Sequence, residues 1–458
     1  MPNSSIVIQE YGRLFCSETP QAGIRAGDGI LGKTAFDELH AFVCSANDQL
    51  AAREDPAQFM RVTMARDASG KNVEVLQAQN YVGVLTTKSG TTVEILPKLD
   101  SESADDRQDS STRAIFCHML QALQDAPFKN LGRSQLATKR NIPLFELLIL
   151  MFVQEVEAIE ARGFRSGYVQ REENARFLRG KLLIAQDIRR NPVDKSRVYV
   201  RHSSFELDRP ENRLIKTALD YVRARTHSND TRRRIARLLD LLDSVDFSRN
   251  VDADFQRVSI DRNMVAYTQA LIWCRVFLRS ESFTAFRGST VSEALLFPME
   301  RVFEDYVAHL MRKALAGKEG NWMLSAQDRG CTLFDSGERR PHLRPDIVLR
   351  SPEDQAIILD TKWKRLKVSD LKPSVPDLYQ MYAYGMRYND GKQWVDDIVL
   401  IYPRTAETPV GFDGEWDAHV EQRSAAFRIR LFFLDLTDGT FGAKSASELC
   451  RKLVSQVN

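Results

Sequence analysis

The stretch "RPDIVLRSPEDQAIILDTKWKRL", residues 344–366, predicts two apolar strands joined by a polar turn. Charge follows the second strand at once, because "DTKWK" comes directly after the apolar run "AIIL". Residues two apart in a strand point to one face, so Asp360 and Lys362 share a face while Trp363 lies on the opposite one, toward the core. If the two strands pair, Asp346 at the head of the first strand comes close to Asp360. The charges then mark the edge of a sheet.

This pair of carboxylates predicts a metal site. Two aspartates that converge at a sheet edge form an oxygen-rich site suited to Mg²⁺, whereas each alone would be an unpaired charge beside apolar neighbours. Lys362, beside a metal and a phosphate, can orient the attacking water and stabilise the charge that develops on the phosphate. The metal lowers the pKa of the water and polarises the phosphate, so the predicted reaction is Mg²⁺-dependent phosphodiester hydrolysis. The alternative interpretation is a surface ion pair.

The triplet D-x-K is weakly specific by itself, because it occurs three times in the chain, beginning at Asp360, Asp370 and Asp390. The first of these follows an apolar strand and has a "PD" at the head of the preceding strand. The predicted catalytic set is therefore Asp346, Asp360 and Lys362.

Two neighbouring segments offer further polar residues. Glu300 and Glu304 lie four apart on one face of the preceding predicted helix, from which one acid can reach the metal. Gln380 and Tyr384 lie likewise on one face of the helix that follows, as supporting residues. The structural alternatives are a solvated helix acid for Glu304, and capping or core packing for Gln380 and Tyr384.

The hydrophobic pattern divides the chain into three parts and predicts a multidomain α+β fold. Residues 1–112 are predicted to form a β-rich N-terminal domain, with a hairpin over 72–99 that turns at "KSG" and a polar linker at 101–112. Residues 113–285 carry the 3.6-residue period of amphipathic helices, interrupted by the extended "SRVYVRHSSFELD". Residues 286–458 are predicted to form an α/β domain with a mixed central sheet.

The third part is predicted to begin with a long amphipathic helix over 291–315. Strands are predicted near "CTLF", in both halves of the opening stretch, and at "DDIVLIYPR" and "AFRIRLFFLDL". The segment "SVPDLYQMYAYGMRYN" is predicted to be helical, with Pro376 in the first turn, where proline fits.

Composition limits the class of protein. The chain has 458 residues, 43% of them hydrophobic, which suits two to four domains. Its longest apolar run, "LLILMFV" from Leu147, is far shorter than the ~20 residues that cross a bilayer. The N-terminus lacks a signal-peptide layout, and the six cysteines are widely spaced, so the predicted location is the cytoplasm. The formal charge of +2 means that any polyanion site is a local patch.

Residues 27–34, "GDGILGKT", match the G-x-x-x-x-G-K-[ST] phosphate loop. That loop requires a buried strand before it and a helix after it. The preceding "CSETPQAGIRA" is polar and contains proline, whereas "AFDELHAFVCSA" suits a helix with Thr34 as its N-cap. We therefore expect a glycine-rich turn entering a helix, and no nucleotide bound by this chain.

The opening stretch resembles the PD-(D/E)xK nuclease superfamily, together with the preceding "LFPMERVFEDYV" and the following "DLYQMYAYG". More closely, the chain resembles the McrC family, the nuclease subunit of McrBC-type modification-dependent restriction systems. The segments "TTVEILPKL", "FLRGKLL" and "FELDRPENRLIKTAL" extend this likeness over most of the chain. The motif positions fall on Asp346, Asp360 and Lys362, with Glu304 as the helix acid.

The resemblance implies a Mg²⁺-dependent endodeoxyribonuclease of anti-phage defence, with Mn²⁺ as a substitute metal. It implies a McrB-like AAA+ GTPase hexamer as partner, on which the N-terminal and helical parts dock and whose GTP hydrolysis they stimulate. Double-stranded DNA carrying methylcytosine is the implied substrate, and dimerisation through the nuclease domain is a further implication. The arginines around 223–237 and the hairpin 81–98 are candidate contacts with the ring. Two alternatives stay open, namely a non-catalytic activator of the partner and an LlaJI-like sequence-specific nuclease subunit.

Overall fold

The chain folds as two compact units, one formed by residues 1–144 with 282–458 and the other by 145–281. The structure is a computed structural model, and it describes residues 5–18, 24–51, 58–66, 70–99, 106–120, 142–258, 265–279, 291–316, 322–334, 341–353, 355–366, 371–389, 394–405, 408–409, 411–420 and 425–455.

Seventeen strands lie within these described residues. They are β1 (Ser5–Gln9), β2 (Arg13–Cys16), β3 (Gly29–Leu31), β4 (Met60–Arg66), β5 (Asn72–Ala78), β6 (Tyr81–Thr87), β7 (Thr92–Leu96), β8 (Gly167–Ala175), β9 (Lys181–Leu182), β10 (Val198–Glu206), β11 (Val291–Pro298), β12 (Met323–Ala326), β13 (Ile347–Arg350), β14 (Gln355–Thr361), β15 (Trp394–Pro403), β16 (Gly411–Val420) and β17 (Ala425–Leu434).

The helices of the described chain complete the set of elements. They are α1 (Lys33–Ala51), α2 (Asp106–Leu120), α3 (Leu144–Glu160), α4 (Ile184–Arg190), α5 (Pro210–Arg223), α6 (Asn229–Leu241), α7 (Val251–Arg257), α8 (Val265–Arg279), α9 (Met299–Leu315), α10 (Val375–Tyr388) and α11 (Ala443–Ser455). None of them is long and apolar enough to span a membrane.

The largest sheet has six strands in the order β12-β13-β14-β15-β17-β16. Strands β14, β15 and β17 run parallel, and the outer pairs are antiparallel. The central strands are continuous apolar runs because helices cover them: α10 packs on β15, α9 on β14 and α11 on β17. Helix α10 connects the parallel strands β14 and β15, as a crossover must. The predicted mixed α+β class is confirmed.

Two four-stranded sheets complete the first unit, in the orders β1-β7-β6-β11 and β3-β2-β5-β4. Helix α1 supplies Phe36, Leu39 and Phe42 to the core that these strands share. The predicted hairpin is present as β6 and β7, with Gly90 in its turn at a φ of 88° that favours glycine.

The second unit holds a helical group and a three-stranded sheet in the order β8-β10-β9. Helix α5 packs against α6, α7 and α8, and its buried residues recur at helical spacing from Leu214 to Val222. The predicted extended segment is β10, which pairs along its whole length with β8.

Four local predictions were wrong. Residues 291–298 form β11 rather than the start of the long helix, because this segment pairs with β6, and the consecutive residues 294–297 are buried there. An apolar run this short does not distinguish a strand from a helix. The linker 101–112 is helical from Asp106 onward. At "CTLF" there is an isolated bridge between Thr332 and His342, and the edge strand is β12 instead.

The fourth concerns Thr34, which is not an N-cap, because α1 begins one residue earlier, at Lys33. Strand β16 had no counterpart among the predicted elements.

Candidate active site

The pairing of β13 with β14 brings two of the predicted acids together. Ile347 lies opposite Leu359, so the next position places Asp346 beside Asp360. Both residues lie where their strands meet the edge of the apolar core, Asp346 just before β13 and Asp360 as the penultimate residue of β14. The local sequence accounts for this position, because the apolar runs end at these two acids.

Asp360 is a buried carboxylate with an incomplete set of partners. Its side chain is 1% exposed, and its Oδ2 lies 2.5 Å from Nζ of Lys362. No described residue donates a hydrogen bond to Oδ1. Burial and, after it, the charge of Asp346 raise the pKa of Asp360 to about 7, although Lys362 lowers it. A buried oxygen atom with no donor is costly unless a cation or another ligand satisfies it.

Asp346 is held by Thr361, a residue that the sequence reasoning missed. The backbone N–H and the hydroxyl of Thr361 each donate to Oδ2 of Asp346, at 2.7 Å. Burial raises the pKa of Asp346 although these two bonds and Lys362 lower it. Alternation along the strand placed Thr361 away from the site, and the sequence carries no signal that it would orient the neighbouring acid.

Glu304 of α9 faces the same two acids. Its carboxylate accepts a hydrogen bond from Nε2 of Gln327. Burial raises the pKa of Glu304 to about 8, with further contributions from Asp346 and Asp360. Glu300, one turn earlier, is exposed and also raises the pKa of Asp346. Of the two helix acids, Glu304 is therefore the one enclosed with the aspartates.

Lys362 is fixed by polar residues of α10. Its ammonium donates to Oε1 of Gln380 at 3.0 Å, and Nε2 of Gln380 donates to the hydroxyl of Tyr384 at 2.7 Å. The same hydroxyl donates to the backbone carbonyl of Arg344 at 3.0 Å. Burial lowers the pKa of Lys362, but the charge of Asp360 outweighs it, so the pKa is raised and the ammonium stays protonated. The structure thus connects all six predicted residues in one cluster.

Trp363 points to the other face of the strand, as alternation predicts. Its side chain is 7% exposed and packs against Phe303 of α9, with ring centroids 5.2 Å apart. The indole N–H lies 3.1 Å from both carboxylate oxygens of Glu10, which lies in the turn after β1. The end of β14 therefore carries a charged cluster on one face and a packed aromatic residue on the other.

The donor set suits a hard divalent cation. Among the described residues, no three Asp, Glu, His or Cys side chains already stand in a metal-holding arrangement. Mg²⁺ does not require such a cage, since it is commonly bound by one or two carboxylates together with water and substrate phosphate. Asp360, whose Oδ1 has no donor, and Asp346 supply such oxygen ligands, and Glu304 is a third acid nearby. The residues present therefore fit Mg²⁺ or Mn²⁺.

The segment 27–34 does not form a phosphate-cradling loop. Within this segment Gly29–Leu31 form β3, whose backbone pairs in parallel with β2. Asp28 accepts from Nη2 of Arg13 at 2.8 Å, and Nζ of Lys33 lies 2.8 Å from Glu18. The N–H groups that would surround a phosphate are thus part of a sheet.

Two segments were predicted to contact the hexameric ring of the partner, namely the arginine-rich run and the hairpin. Each is partly packed within the unit to which it belongs. In the arginine-rich run 223–237, Nε of Arg234 donates to Glu157 at 2.8 Å, and Nη2 of Arg237 donates to Glu160 at 2.7 Å. In the hairpin, β6 and β7 are almost wholly buried. Both segments keep exposed side chains, among them Arg232, Arg233 and Lys88, so the contacts with the ring stay a prediction.

Residues 168–205 of the second unit carry several large apolar side chains that are exposed. Helix α4 has no buried residue, and the rings of Tyr168 and Phe205 pair in the open with centroids 5.1 Å apart. The exposed fractions run from 63 to 89% for seven side chains, which we call the apolar surface: Tyr168, Phe177, Leu178, Ile184, Ile188, Val193 and Phe205.

Fold and site together define a mixed α+β protein with an acidic cluster and a lysine at the edge of its largest sheet. A family model described as McrBC 5-methylcytosine restriction system component matches residues 76–403. Because this match spans well over half of the sequence, the chain belongs to that family, and the resemblance found in the sequence is confirmed.

A solved structure supports the same fold. The chain is similar to one in a refined half-complex from the tetradecameric assembly of Thermococcus gammatolerans McrB AAA+ hexamers with bound McrC, with a TM-score of 0.70 and 18% identity over 98% of this chain and 100% of that one. A chain in the cryo-EM structure of the Thermococcus gammatolerans McrBC complex is 18% identical, over 69% of this chain and 90% of that one, with a TM-score of 0.49. A search of curated proteins found no match.

Proposed function

We propose that this chain is the DNA-cutting subunit of an McrBC-type restriction system and hydrolyses phosphodiester bonds with Mg²⁺, in the cytoplasm. The observation that carries the proposal is the enclosure of Asp346, Asp360 and Glu304 with Lys362 at one sheet edge. Clustered acids with raised pKa values cost stability, and such clusters are typical of active sites. The sheet and this cluster are those expected of a PD-(D/E)xK nuclease domain.

In this proposal each residue of the cluster has a distinct task. Asp346 and Asp360, with Glu304 beside them, hold the metal, which would polarise the phosphate and lower the pKa of a bound water. Thr361 fixes one oxygen of Asp346, so that the other is presented to the site. Lys362 stays protonated and stabilises the charge that develops on the phosphate. Gln380 positions the ammonium of Lys362, and Tyr384 positions Gln380.

The non-catalytic alternative has less support. An adaptor that only activates its partner would have no need of three mutually repelling acids, which burial and repulsion make unfavourable. The family description favours methylcytosine-containing DNA as the substrate. A sequence-specific subunit would use the same cluster, so the choice of target lies outside this site.

Partner binding belongs to the same proposal. We infer that a McrB-like AAA+ GTPase hexamer is the partner, as in the complexes with which this fold was compared. The apolar surface of the second unit supports this, because exposed apolar patches of this kind mark interaction sites. Pairing of two nuclease domains when two complexes meet would let both strands be cut.

The decisive experiment is cleavage of methylated duplex DNA by the chain assembled with its partner. We expect Asp360→Asn to lower the cleavage rate at least about a thousandfold, since a metal ligand is lost, while GTP hydrolysis by the partner is still stimulated. The matched control is Asp396→Asn, at the opposite end of the neighbouring strand β15, which should cut normally. Unchanged cleavage by Asp360→Asn would show that the active site lies elsewhere.

A further inference from the structure

A cavity of about 450 Å³ lies on the Trp363 side of the strand that carries the catalytic cluster. Its volume falls within the range of about 300–1,000 Å³ that is usual for small-ligand sites. Four segments of the first unit line it: the turn after β1, the segment after β7, the residues that follow β14, and the end of β15 with the residues after it. The lining residues are Glu10, Tyr11, Lys98, Leu99, Trp363, Lys364, Arg365, Pro403, Arg404 and Thr405.

The position of the cavity is one where α/β sheets bind ligands. Strands β14 and β15 are parallel neighbours, and both end at the cavity, with Trp363 and Lys364 after one and Arg404 after the other. Ligands of open α/β sheets bind outside the carboxyl ends of such strands. The cavity is also near the proposed active site along the chain, because Trp363 of its lining directly follows Lys362, although the two side chains point to opposite faces of the strand.

The lining is basic. Four cations, Lys98, Lys364, Arg365 and Arg404, surround one acid. Lys364 forms an ion pair with Asp377 of α10 at 3.0 Å, and Arg404 forms one with Asp435, which follows β17, at 2.5 Å. Lys98 is exposed, and Nε of Arg365 donates to its backbone carbonyl at 3.0 Å. The excess of cations over acids at the wall favours an anion.

The one acid of the lining contributes little opposing charge. Glu10 is 2% exposed and accepts from the indole of Trp363 and from the backbone N–H of Lys98. Burial raises its pKa to about 7, so the carboxyl is partly protonated near neutral pH. Beside it, Tyr11 presents an aromatic ring that is 49% exposed. Cations with an exposed aromatic ring are the combination that binds a nucleic-acid strand, through its phosphates and through stacking of a base.

We infer that this cavity holds one nucleotide of the DNA strand that passes the proposed active site, next to the phosphate that is cut. Its phosphate lies against Lys98, Lys364 and Arg365, and its base or sugar lies against Tyr11. The two sites are neighbours along the chain, because Lys364 follows Lys362 by two residues in a turn that the N–H of Lys364 closes on the carbonyl of Lys362 at 2.9 Å. This inference rests on the proposed function, and it adds a strand-positioning site to it.

The first test measures DNA binding without cleavage. The full chain carrying Asp360→Asn is titrated into a fluorescein-labelled duplex at several salt concentrations, with and without Lys98→Gln. Loss of one phosphate contact should weaken binding about fivefold to tenfold at 100 mM salt and reduce the slope of log K against log salt by about 1. The matched control, Lys444→Gln, removes an exposed lysine in the first turn of α11, far from the cavity in sequence. Equal effects of the two variants would overturn the inference.

The second test locates the strand directly and does not depend on any variant at the cavity. DNA in which thymines are replaced by 5-iodouracil is irradiated with the full chain, and cross-linked peptides are identified by mass spectrometry. We expect cross-links at Tyr11 or Trp363. Cross-links confined to other regions, or tighter binding of free dTMP than of the DNA, would contradict the strand site.

The two proposals fail in different ways. Cleavage that persists in Asp360→Asn, with cross-links still at Tyr11, would refute the active site and leave the strand site intact. Cleavage that requires Asp360, with no cross-link at the cavity and no specific effect of Lys98→Gln, would refute the strand site alone.

Discussion

At the scale of single residues, the site is a group of acids that repel one another. Asp346, Asp360 and Glu304 are all buried or half-buried. Asp346 raises the pKa of both other acids, and Asp360 raises the pKa of Glu304. The ammonium of Lys362 forms an ion pair with Asp360 and so neutralises part of the negative charge of the cluster. The arrangement is unfavourable for folding in the absence of a cation, and it makes the stability of the protein depend on both pH and metal.

The direction of the pH dependence follows from the raised pKa values. A carboxyl whose pKa is higher in the folded than in the unfolded chain binds more protons when folded, so its stabilising effect is complete below its unfolded pKa and is lost as the pH rises through the folded value. For Asp360 and Glu304 this window runs from about pH 4 to about pH 8. We therefore expect the metal-free protein to have a lower melting temperature at pH 8 than at pH 5.

Magnesium should reverse this loss, because it binds the folded carboxylates and not the unfolded chain. At pH 8, saturating Mg²⁺ should raise the melting temperature by several degrees in the wild-type chain and much less in Asp360→Asn. The other titrating groups are the same in both proteins, so their contribution cancels when the melting temperatures of the wild type and of Asp360→Asn are subtracted. A pH profile that is identical in Asp360→Asn, with the same response to Mg²⁺, would show that this cluster does not bind the metal.

At the scale of elements, the site depends on how closely α10 approaches the sheet. Helix α10 carries Gln380 and Tyr384, and one residue further along Gly385 faces the ring of Phe427 on β17. A Cβ atom on Gly385 would lie 2.4 Å from Cζ of that ring, far inside van der Waals contact. The glycine therefore allows the helix to lie close enough for Gln380 to reach Lys362.

Gly385→Ala tests this close approach. Alanine favours a helix interior by about 1 kcal/mol over glycine, so helix propensity alone predicts a more stable protein. We expect the opposite, a net loss, because overpacking costs about 1–3 kcal/mol and displaces α10 from the site. Thermal unfolding should show the destabilisation, and DNA cleavage should fall with it.

The control for this prediction is a second substitution that makes room. Phe427→Leu in the Gly385→Ala background removes much of the ring and should restore part of both stability and cleavage. If Gly385→Ala is as stable and active as the wild type, the helix has other ways to accommodate the methyl group and the argument for close packing is wrong.

At the scale of the whole molecule, the two units carry different surfaces. The first unit contains the acidic cluster and the basic cavity, and it joins N-terminal strands to the six-stranded sheet. Strand β11 belongs to the predicted third domain, yet it pairs with β6 of the predicted first one. The division into 1–112, 113–285 and 286–458 stays a prediction about domains, and the compact units group its first and third parts together.

The apolar surface of the second unit gives a prediction about the partner. Ile188→Asp and Phe177→Asp place charge on side chains that are 64% and 80% exposed, so the fold should tolerate them. Each should reduce stimulation of the partner's GTP hydrolysis at least about tenfold, because a charge left in an apolar interface is costly.

Met323→Asp, at a side chain of β12 that is 67% exposed and lies outside the parts predicted to dock, provides the matched control and should stimulate normally. Measurements of GTP turnover against concentration of the chain would check all three variants. Full stimulation by Ile188→Asp and Phe177→Asp would place the partner contact on another surface.

The amino-acid sequence by itself predicted the central features of the site. A run of apolar residues that stops at Asp360, with Lys362 two positions on and Asp346 at the head of the preceding strand, leaves few geometries open, because strand alternation and pairing are local rules. The family resemblance, the hairpin and most helices follow from patterns of the same short range.

The tertiary structure alone decided the features that depend on distant partners. Residues 291–298 became a strand because β6 offers them hydrogen bonds, although their apolar pattern also suits a helix. Thr361 holds Asp346 only because two strands pair, and the cavity exists only because Glu10 and Lys98 fold against the residues that follow β14. Contacts of this kind join residues up to 353 positions apart, and no local pattern encodes them.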